Sequence, residues 1–177
     1  MNQKPQSLKL LPLLFLLLVP ALARAQFTYI TNDDNTITIT EYTGSDSIVT
    51  VPGNIGGLTV TGIGDGVFSN NITATSITIP NSVTTIGNST FYACTTLTNV
   101  TMSGGVLSIG NDAFYLCLNL TNVTIPDSVT NIGAAAFNNC VGLLTIARIP
   151  PVFGSIKEYS SPDLTFAIKS SVIDTEL

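Results

Sequence analysis

The sequence is dominated by an internal repeat, in which the same residue types recur at every twenty-third position. The three cysteines, Cys94, Cys117 and Cys140, are equally spaced at this period. Other apolar columns follow the same period, and they are Phe68, Phe91, Phe114 and Phe137; Ile63-Gly64, Ile86-Gly87, Ile109-Gly110 and Ile132-Gly133; Val60, Val83, Val106 and Val129; and Leu97, Leu120 and Leu143. A period of about 23 residues is typical of a solenoid, in which each unit buries its apolar side against its neighbours.

Each unit contains one recognisable strand. In the segment Leu120–Ile125 the pattern L-x-x-V-x-I directs Leu120, Val123 and Ile125 inward and leaves the residues between them outside. β-branched residues favour an extended chain, and Pro126 ends the strand. Four units follow from this pattern, and they are Leu58–Pro80, Asn81–Ser103, Gly104–Pro126 and Asp127–Ile149.

The rest of each unit returns the chain to the next strand. Val106–Ile109 is a second short extended stretch, and residues 112–117 are predicted to form a short helical or 3₁₀ turn that directs Phe114 into the core. Parallel crossovers are right-handed. The predicted fold is therefore a mainly β, right-handed repeat coil of about four 23-residue units, with a parallel sheet whose strands lie ~4.8 Å apart.

These units resemble the BspA-like (treponemal-type) leucine-rich repeat. The resemblance is carried by Val129, Ile132-Gly133, Ala136-Phe137 and Cys140, together with the strand Leu120–Pro126. It covers the segment 58–148, and we expect it to extend back to residue 27, because the family often opens with a β segment. The resemblance implies a leucine-rich-repeat solenoid in a secreted or surface protein, and some members are adhesins that bind host matrix proteins or other cells.

Several positions depart from the repeat. The first unit has Asn71 in the cysteine column and Ala74 in the leucine column. The fourth unit has Arg148 where Ile125 and Met102 are expected to point inward. We interpret Arg148 as the end of the regular array, where an inward position becomes open to water.

The N-terminal segment, 1–25, is typical of an export signal. Lys4 and Lys9 precede the apolar run Leu10–Leu18, which is interrupted only by Pro12, and Ala23-Arg24-Ala25 fits a cleavage site. The apolar run is too short to cross a bilayer of about 30 Å as a helix. The predicted organisation is a signal peptide (1–25), an N-terminal β cap region (26–57), the repeats (58–149) and a C-terminal cap or tail (150–177).

Removal of the signal segment leaves an acidic chain. Three basic residues, Arg148, Lys157 and Lys169, remain against eleven acids, which gives a net charge of −8. This sign and the scarcity of cations exclude a phosphate-tracking nucleic-acid surface and disfavour contact with anionic lipid. No stretch after the signal segment is long and apolar enough for a transmembrane helix, so we expect no membrane insertion after signal removal. The sequence has no histidine, which excludes Ser-His-Asp and Cys-His catalysis. We expect no enzyme activity and no cofactor or metal.

The cysteine column has two interpretations. In the first, the three thiols form a buried ladder of small apolar side chains, one per coil. In the second, neighbouring coils bring two cysteines within disulfide range, and an exported protein then holds one disulfide and one free thiol. A reactive thiol would need nearby basic groups, which the sequence around the cysteines does not supply.

The outward strand positions form the candidate binding surface. They carry hydroxyls and amides without charge, and in the second and third units they are Thr98, Asn99, Thr101, Thr121, Asn122 and Thr124. Threonine rows also stack well on any exposed strand, so a purely structural role stays open, and so does a comparison with ice-binding solenoids. Tyr92 and Tyr115 are expected on the opposite, convex side, either as aromatic contacts or as half-buried shields over the phenylalanine column.

The sequence therefore favours an exported leucine-rich-repeat module, secreted or at the cell surface, that binds an extracellular protein or glycan in an adhesin-like way. The alternative is a structural spacer within a larger envelope protein that has no ligand of its own. The exposed strand edges at the ends of a solenoid also predict weak end-to-end self-association.

Overall fold

The computed structural model describes residues 26–143 and 145–148. The predicted signal peptide and the predicted C-terminal cap or tail lie outside the described residues. Within the described part the chain forms strands and turns without a helix, and the strands are β1 Phe27–Thr31, β2 Ile37–Tyr42, β3 Ile48–Thr50, β4 Asn54–Ile55, β5 Leu58–Ile63, β6 Ser76–Ile79, β7 Thr85–Ile86, β8 Asn99–Met102, β9 Ser108–Ile109, β10 Asn122–Ile125, β11 Asn131–Ile132 and β12 Thr145–Arg148.

The strands stack into two sheets that run the length of the solenoid. Sheet I has the order β1-β2-β5-β7-β9-β11, with β4 paired to β5, and sheet II has the order β12-β10-β8-β6-β3. Each regular coil contributes one longer strand to sheet II and one two-residue strand to sheet I. The predicted solenoid with parallel sheets is confirmed, and the predicted strand and second extended stretch of each unit are both present.

The register between coils equals the sequence period. Asn99 pairs with Asn122 and Thr101 with Thr124 in sheet II, while Ser108 pairs with Asn131 in sheet I. The inward residues of β8 and β10 are buried and the outward ones face solvent or are half-buried. A slip by one residue would turn every buried side chain outward, so burial fixes this register.

The N-terminal region adds an irregular coil before residue 58. β2 lies parallel to β5, and β3 lies parallel to β6, so the first repeat stacks on earlier chain in both sheets. β1 pairs with β2 in antiparallel fashion and is the terminal strand of sheet I. The predicted β segment that starts at residue 27 is thus part of the stack.

The helical or 3₁₀ turn predicted over residues 112–117 is wrong, since this segment is a run of turns. Asp112 and Leu116 have φ values of 53° and 59°, which a right-handed helix does not admit. The N–H of Phe114 donates to the carbonyl of Ala136 in the next coil, at 2.7 Å. Asp112 and Leu116 donate to the next coil in the same way, so stacking of the coils decides the backbone here.

A ladder of aromatic rings forms the centre of the core. The rings of Phe68, Phe91, Phe114 and Phe137 stack in sequence with centroids 5.2, 4.8 and 5.0 Å apart. Tyr42 extends the ladder at the N-terminal end, 4.9 Å from Phe68. Each coil alone would leave such a ring half exposed, so the ladder links the stability of each coil to that of its neighbours.

The Ile-Gly column marks where backbones approach most closely. A Cβ atom at Gly110 would lie 2.5 Å from the carbonyl carbon of Gly87 and 2.6 Å from the amide nitrogen of Asn88. The next residue in each coil joins the coils further, because the Asn88 side-chain oxygen accepts the N–H of Asn111 at 2.9 Å. Glycine is required in this column because any side chain would push two coils apart.

Replacement of Gly110 by alanine tests this close approach. We expect Gly110→Ala to lower the free energy of unfolding by at least about 2 kcal/mol, because the obstructing atoms belong to the backbone and cannot rotate away. Gly104→Ala is the matched control in the same unit, since its Cβ would meet only the Asn81 side-chain oxygen at 3.8 Å. Urea unfolding followed by circular dichroism measures both, and equal losses would contradict the argument.

Candidate functional site

The candidate binding surface is the outward face of sheet II. The register brings the predicted residues of the second and third units together, with Asn99 beside Asn122 and Thr101 beside Thr124. Thr98, Asn99, Thr101, Thr121 and Asn122 are exposed, and Thr124 is half-buried. The sequence therefore predicted correctly that these six side chains share one outer face, although their role in binding stays a prediction.

Two of the six side chains donate to backbone carbonyls of the preceding coil. The Thr98 hydroxyl donates to the carbonyl oxygen of Thr75 at 2.9 Å, and the Thr121 hydroxyl donates to the carbonyl oxygen of Thr98 at 3.0 Å. Thr75 makes the equivalent bond to Ser47 at 3.0 Å. This column consequently joins each coil to the preceding one, and its hydroxyl protons are already committed.

The other outward columns form fewer hydrogen bonds to backbone carbonyls of the preceding coil. The Asn99 amide donates weakly to the Ser76 hydroxyl at 3.3 Å. Thr50, Thr78, Thr101 and Thr124 pair in register and form one row of four threonines across four coils. The row includes Thr50, which lies before the first predicted unit and was not recognised from the sequence. It offers one hydroxyl per coil, spaced as parallel strands are, at ~4.8 Å.

The two predicted tyrosines form a pair on a different segment of the coil, within the stacked turns. The rings of Tyr92 and Tyr115 stack with centroids 5.4 Å apart and an angle of 9° between their planes. Both are half-buried, and the Asn139 amide donates to the Tyr115 hydroxyl at 3.2 Å. Each ring covers one face of the other, and a role of this pair as an aromatic contact for a ligand stays a prediction.

The cysteines form the buried ladder of the first interpretation. Cys94, Cys117 and Cys140 are free thiols, and each donates to a carbonyl oxygen of the preceding coil at 3.0 Å. Hydrogen bonding with the thiols of Cys140 and Cys94, together with burial, raises the pKa of Cys117. A buried, protonated thiol is a poor nucleophile and a poor metal ligand.

Two other kinds of site are absent from the described part of the chain. Within residues 26–143 and 145–148, no group of three or more His, Cys, Asp or Glu side chains could hold a metal ion. In the same residues, no helix has the length and apolarity needed to cross a membrane.

Several large apolar side chains are exposed, among them Ile48, Ile72 and Val141, and two of them are neighbours on β1. Tyr29 and Ile30 on β1 are 41% and 58% exposed, whereas the predicted tyrosines are half-buried. β1 is the first strand after the predicted cleavage site, and a first strand is a natural candidate for a sheet edge. The position of β1 directly after the predicted cleavage site could be read from the sequence. The repeat period alone does not say which strand lies at the end of the sheet.

Comparison with known proteins identifies the repeat. The family model described as "BspA type Leucine rich repeat region" matches residues 21–144 in six copies. The four units recognised from the sequence begin at residue 58, so the additional copies agree with the coil that β2 and β3 form before it. No curated protein matches the chain significantly.

Several solved bacterial structures share this fold. A leucine-rich repeat protein of Treponema pallidum is 27% identical, with a TM-score of 0.60 over 69% of this chain and 68% of that one. One from Bacteroides capillosus is 28% identical, with a TM-score of 0.64 over 71% and 95%. A leucine-rich cell surface protein of Faecalibacterium prausnitzii is 35% identical, with a TM-score of 0.56, and the match covers 70% of this chain but only 41% of that protein.

The two kinds of threonine can be separated by substitution. We expect Thr98→Val to lower the free energy of unfolding by about 0.5–1 kcal/mol, because it removes a hydrogen bond between coils. Thr124→Val should change it by less than about 0.5 kcal/mol, because its hydroxyl makes no such bond to a carbonyl among residues 26–143. Thermal and urea unfolding measure both, and a larger loss for Thr124→Val would contradict the assignment.

Thiol labelling tests the buried ladder. We expect Cys94, Cys117 and Cys140 to react with an aromatic disulfide reagent about a hundredfold or more slower in the folded protein than in urea. Variants that retain one cysteine should show Cys140, 9% exposed at the last described coil, reacting before the fully buried Cys117. Recovery of fewer than three thiols after unfolding of the exported protein would instead favour the disulfide interpretation.

Proposed function

This chain belongs to the BspA-type leucine-rich repeat family, and from that premise we propose that it is an exported binding module that acts at the cell surface or outside it without catalysis. Its ligand-contacting surface is the outward face of sheet II. The ligand is an extracellular protein or glycan, and the binding is adhesin-like.

One observation carries the proposal, which is the alignment of unlike polar columns on a surface without charge. Asn99 and Asn122 form one column and Thr101 and Thr124 the next, so each of these two strands presents an amide and a hydroxyl side by side. Amide and hydroxyl groups at fixed spacing can each exchange a bound water for a ligand group. Because the strands hold these side chains in place, less conformational entropy is lost when a ligand binds.

No set of catalytic side chains meets at one point in the described part of the chain, which supports a role without catalysis. The sequence has no histidine, and the cysteine thiols donate to backbone carbonyls inside the core. Sheet II presents hydroxyls and amides in parallel rows that do not converge on a common point. Catalysis of acyl or glycosyl transfer would need a base beside a nucleophile, or two facing carboxyl groups.

An extracytoplasmic location rests on two further observations. The N-terminal segment, 1–25, has the organisation of a cleavable export signal. The similar protein of Faecalibacterium prausnitzii is described as a cell surface protein. Both support export, and the buried free thiols are compatible with an oxidising compartment because they are shielded from it.

The spacer alternative has its own support in the threonine ladder. The hydroxyls of Thr75, Thr98 and Thr121 all bond to the preceding coil, so part of the threonine content has a purely structural use. A rigid array of this kind would also hold another domain at a distance. The two functions differ in what they predict for substitutions outside this column. A binding module would lose affinity for its ligand, whereas a spacer would have no ligand binding to lose.

A ligand screen with matched variants tests the proposed function. The chain from Gln26 onward is applied to a glycan array and to a panel of extracellular matrix proteins, and a retained ligand is then titrated. We expect Thr101→Lys and Asn122→Lys each to weaken binding at least about tenfold, because each places a charge at the contact. Leu107→Lys, an equal charge change at an exposed position before β9, should leave binding unchanged.

Two results would count against the proposal. A folded protein that retains no ligand at high micromolar concentration would favour the spacer. Equal weakening by Leu107→Lys would place the contact elsewhere on the molecule.

A further inference from the structure

The N-terminal end of sheet I has an unpaired edge in the described part of the chain. Among residues 26–143 and 145–148, β1 is the last strand of the sheet and pairs on one side only, with β2. The Asn32 N–H donates to Thr36 at the turn between them, at 2.8 Å. Alternation of bonds along an antiparallel pair then directs the N–H of Ile30 toward β2 and those of Tyr29 and Thr31 toward the open edge.

The same strand exposes apolar side chains. Only Phe27 is buried, and the four residues from Thr28 to Thr31 are exposed, with Tyr29 at 41% and Ile30 at 58%. β1 has no proline or charged residue, two features that ordinarily protect an edge strand from pairing. Its register with β2 shifts between Thr28 and Tyr29, and the stretch from Tyr29 to Thr31 pairs without a further shift. An edge with exposed apolar side chains and no proline or charge is suited to receive an added strand.

Carboxylates lie beyond both ends of β1 and on the strand beside it. Asp33 and Asp34 lie in the turn that follows β1, and Glu41 on β2 is opposite Thr28. At the other end of the strand, Asp46 accepts a hydrogen bond from the Gln26 side chain at 3.0 Å. Residues 26–143 contain no lysine, arginine or histidine, so no basic side chain in this part of the chain offsets the four acids.

We propose that the open edge of β1 binds an extended basic peptide segment of another protein, which adds to sheet I as a further strand. The five residues of β1 span ~17 Å at about 3.4 Å per residue, so about five residues of the peptide pair with the strand. Lysine or arginine side chains that flank these five residues lie near Asp33 and Asp34 at one end and near Asp46 at the other. The contact goes beyond the proposed use of sheet II, because it involves another sheet and another chemistry.

Charge disfavours the other candidate strands. A second copy of the chain would bring four further acids against the same four. The chain's own residues 149–177 contain two lysines and four acids, so they too carry a net negative charge. A basic partner segment is the occupant whose charge complements this end of the solenoid.

A pair of labelled peptides tests the proposal. The probe is a peptide with alternating valine and threonine over five residues, flanked on each side by two lysines, and its control has glutamate in place of each lysine. Fluorescence anisotropy with the chain from Gln26 onward should show saturable binding of the lysine peptide that weakens as salt increases. The glutamate peptide should bind at least about tenfold more weakly.

Variants locate the contact on β1. Thr31→Pro removes an outward N–H without removing a bond to β2, and we expect it to weaken binding at least about tenfold. Ile30→Lys tests the edge without a change to the backbone and should have a similar effect, while Leu107→Lys serves as its matched control. Replacement of Asp33, Glu41 and Asp46 by the corresponding amides should reduce both the affinity and its dependence on salt.

The outcomes separate this proposal from the one for sheet II. Loss of peptide binding in Ile30→Lys, with Thr101→Lys unaffected, supports the edge. The proposal is overturned by absence of peptide binding at several hundred micromolar, by equal binding of both peptides, or by equal affinity of Ile30→Lys and the unchanged chain. Concentration-dependent dimerisation that Thr31→Pro abolishes would likewise overturn it, in favour of a second copy as the added strand.

Discussion

The stacking of each coil directly on the one before it is the constraint on which the rest of this structure depends. A single coil has two short strands and one phenylalanine, too little to bury a core. When coils stack at the strand spacing, Phe91 contacts the rings on both sides of it, and each backbone edge finds its partners in the next coil. Stability is therefore shared between neighbours, as in other repeat proteins.

The same stacking explains the unusual composition. Identical positions in successive coils lie ~4.8 Å apart, so a charge repeated in one column would face its own copies. At about 4 Å even in bulk water such a pair repels by about 1 kcal/mol. The column of Asp65, Asn88 and Asn111 has one acid followed by two amides, and all three oxygens accept the N–H of the next coil. Neutral polar side chains satisfy the ladder without that repulsion.

The repeated columns of sheet II and the non-repeated residues of β1 suit different kinds of ligand. The middle of sheet II presents nearly the same groups in each coil, which suits a ligand that is itself periodic or extended. At β1 the repeat is absent, and Tyr29, Ile30 and the surrounding carboxylates occur only once. The two surfaces lie on different sheets, so the chain can use one without the other.

The sequence by itself determined the period, the register, the inward columns and the buried position of the thiols, because a side chain that recurs at every twenty-third position must meet its own copy in the next coil. It did not determine how the turns run. Residues 112–117 have a helix-like composition, yet the N–H groups of Asp112, Phe114 and Leu116 bond to the next coil, and those partners exist only once the coils are stacked. Nor could it show that the Thr98 hydroxyl donates to a carbonyl of the preceding coil, or that Tyr29 lies on the last described strand of sheet I. Those facts depend on which backbone groups already have partners, which only the tertiary structure decides.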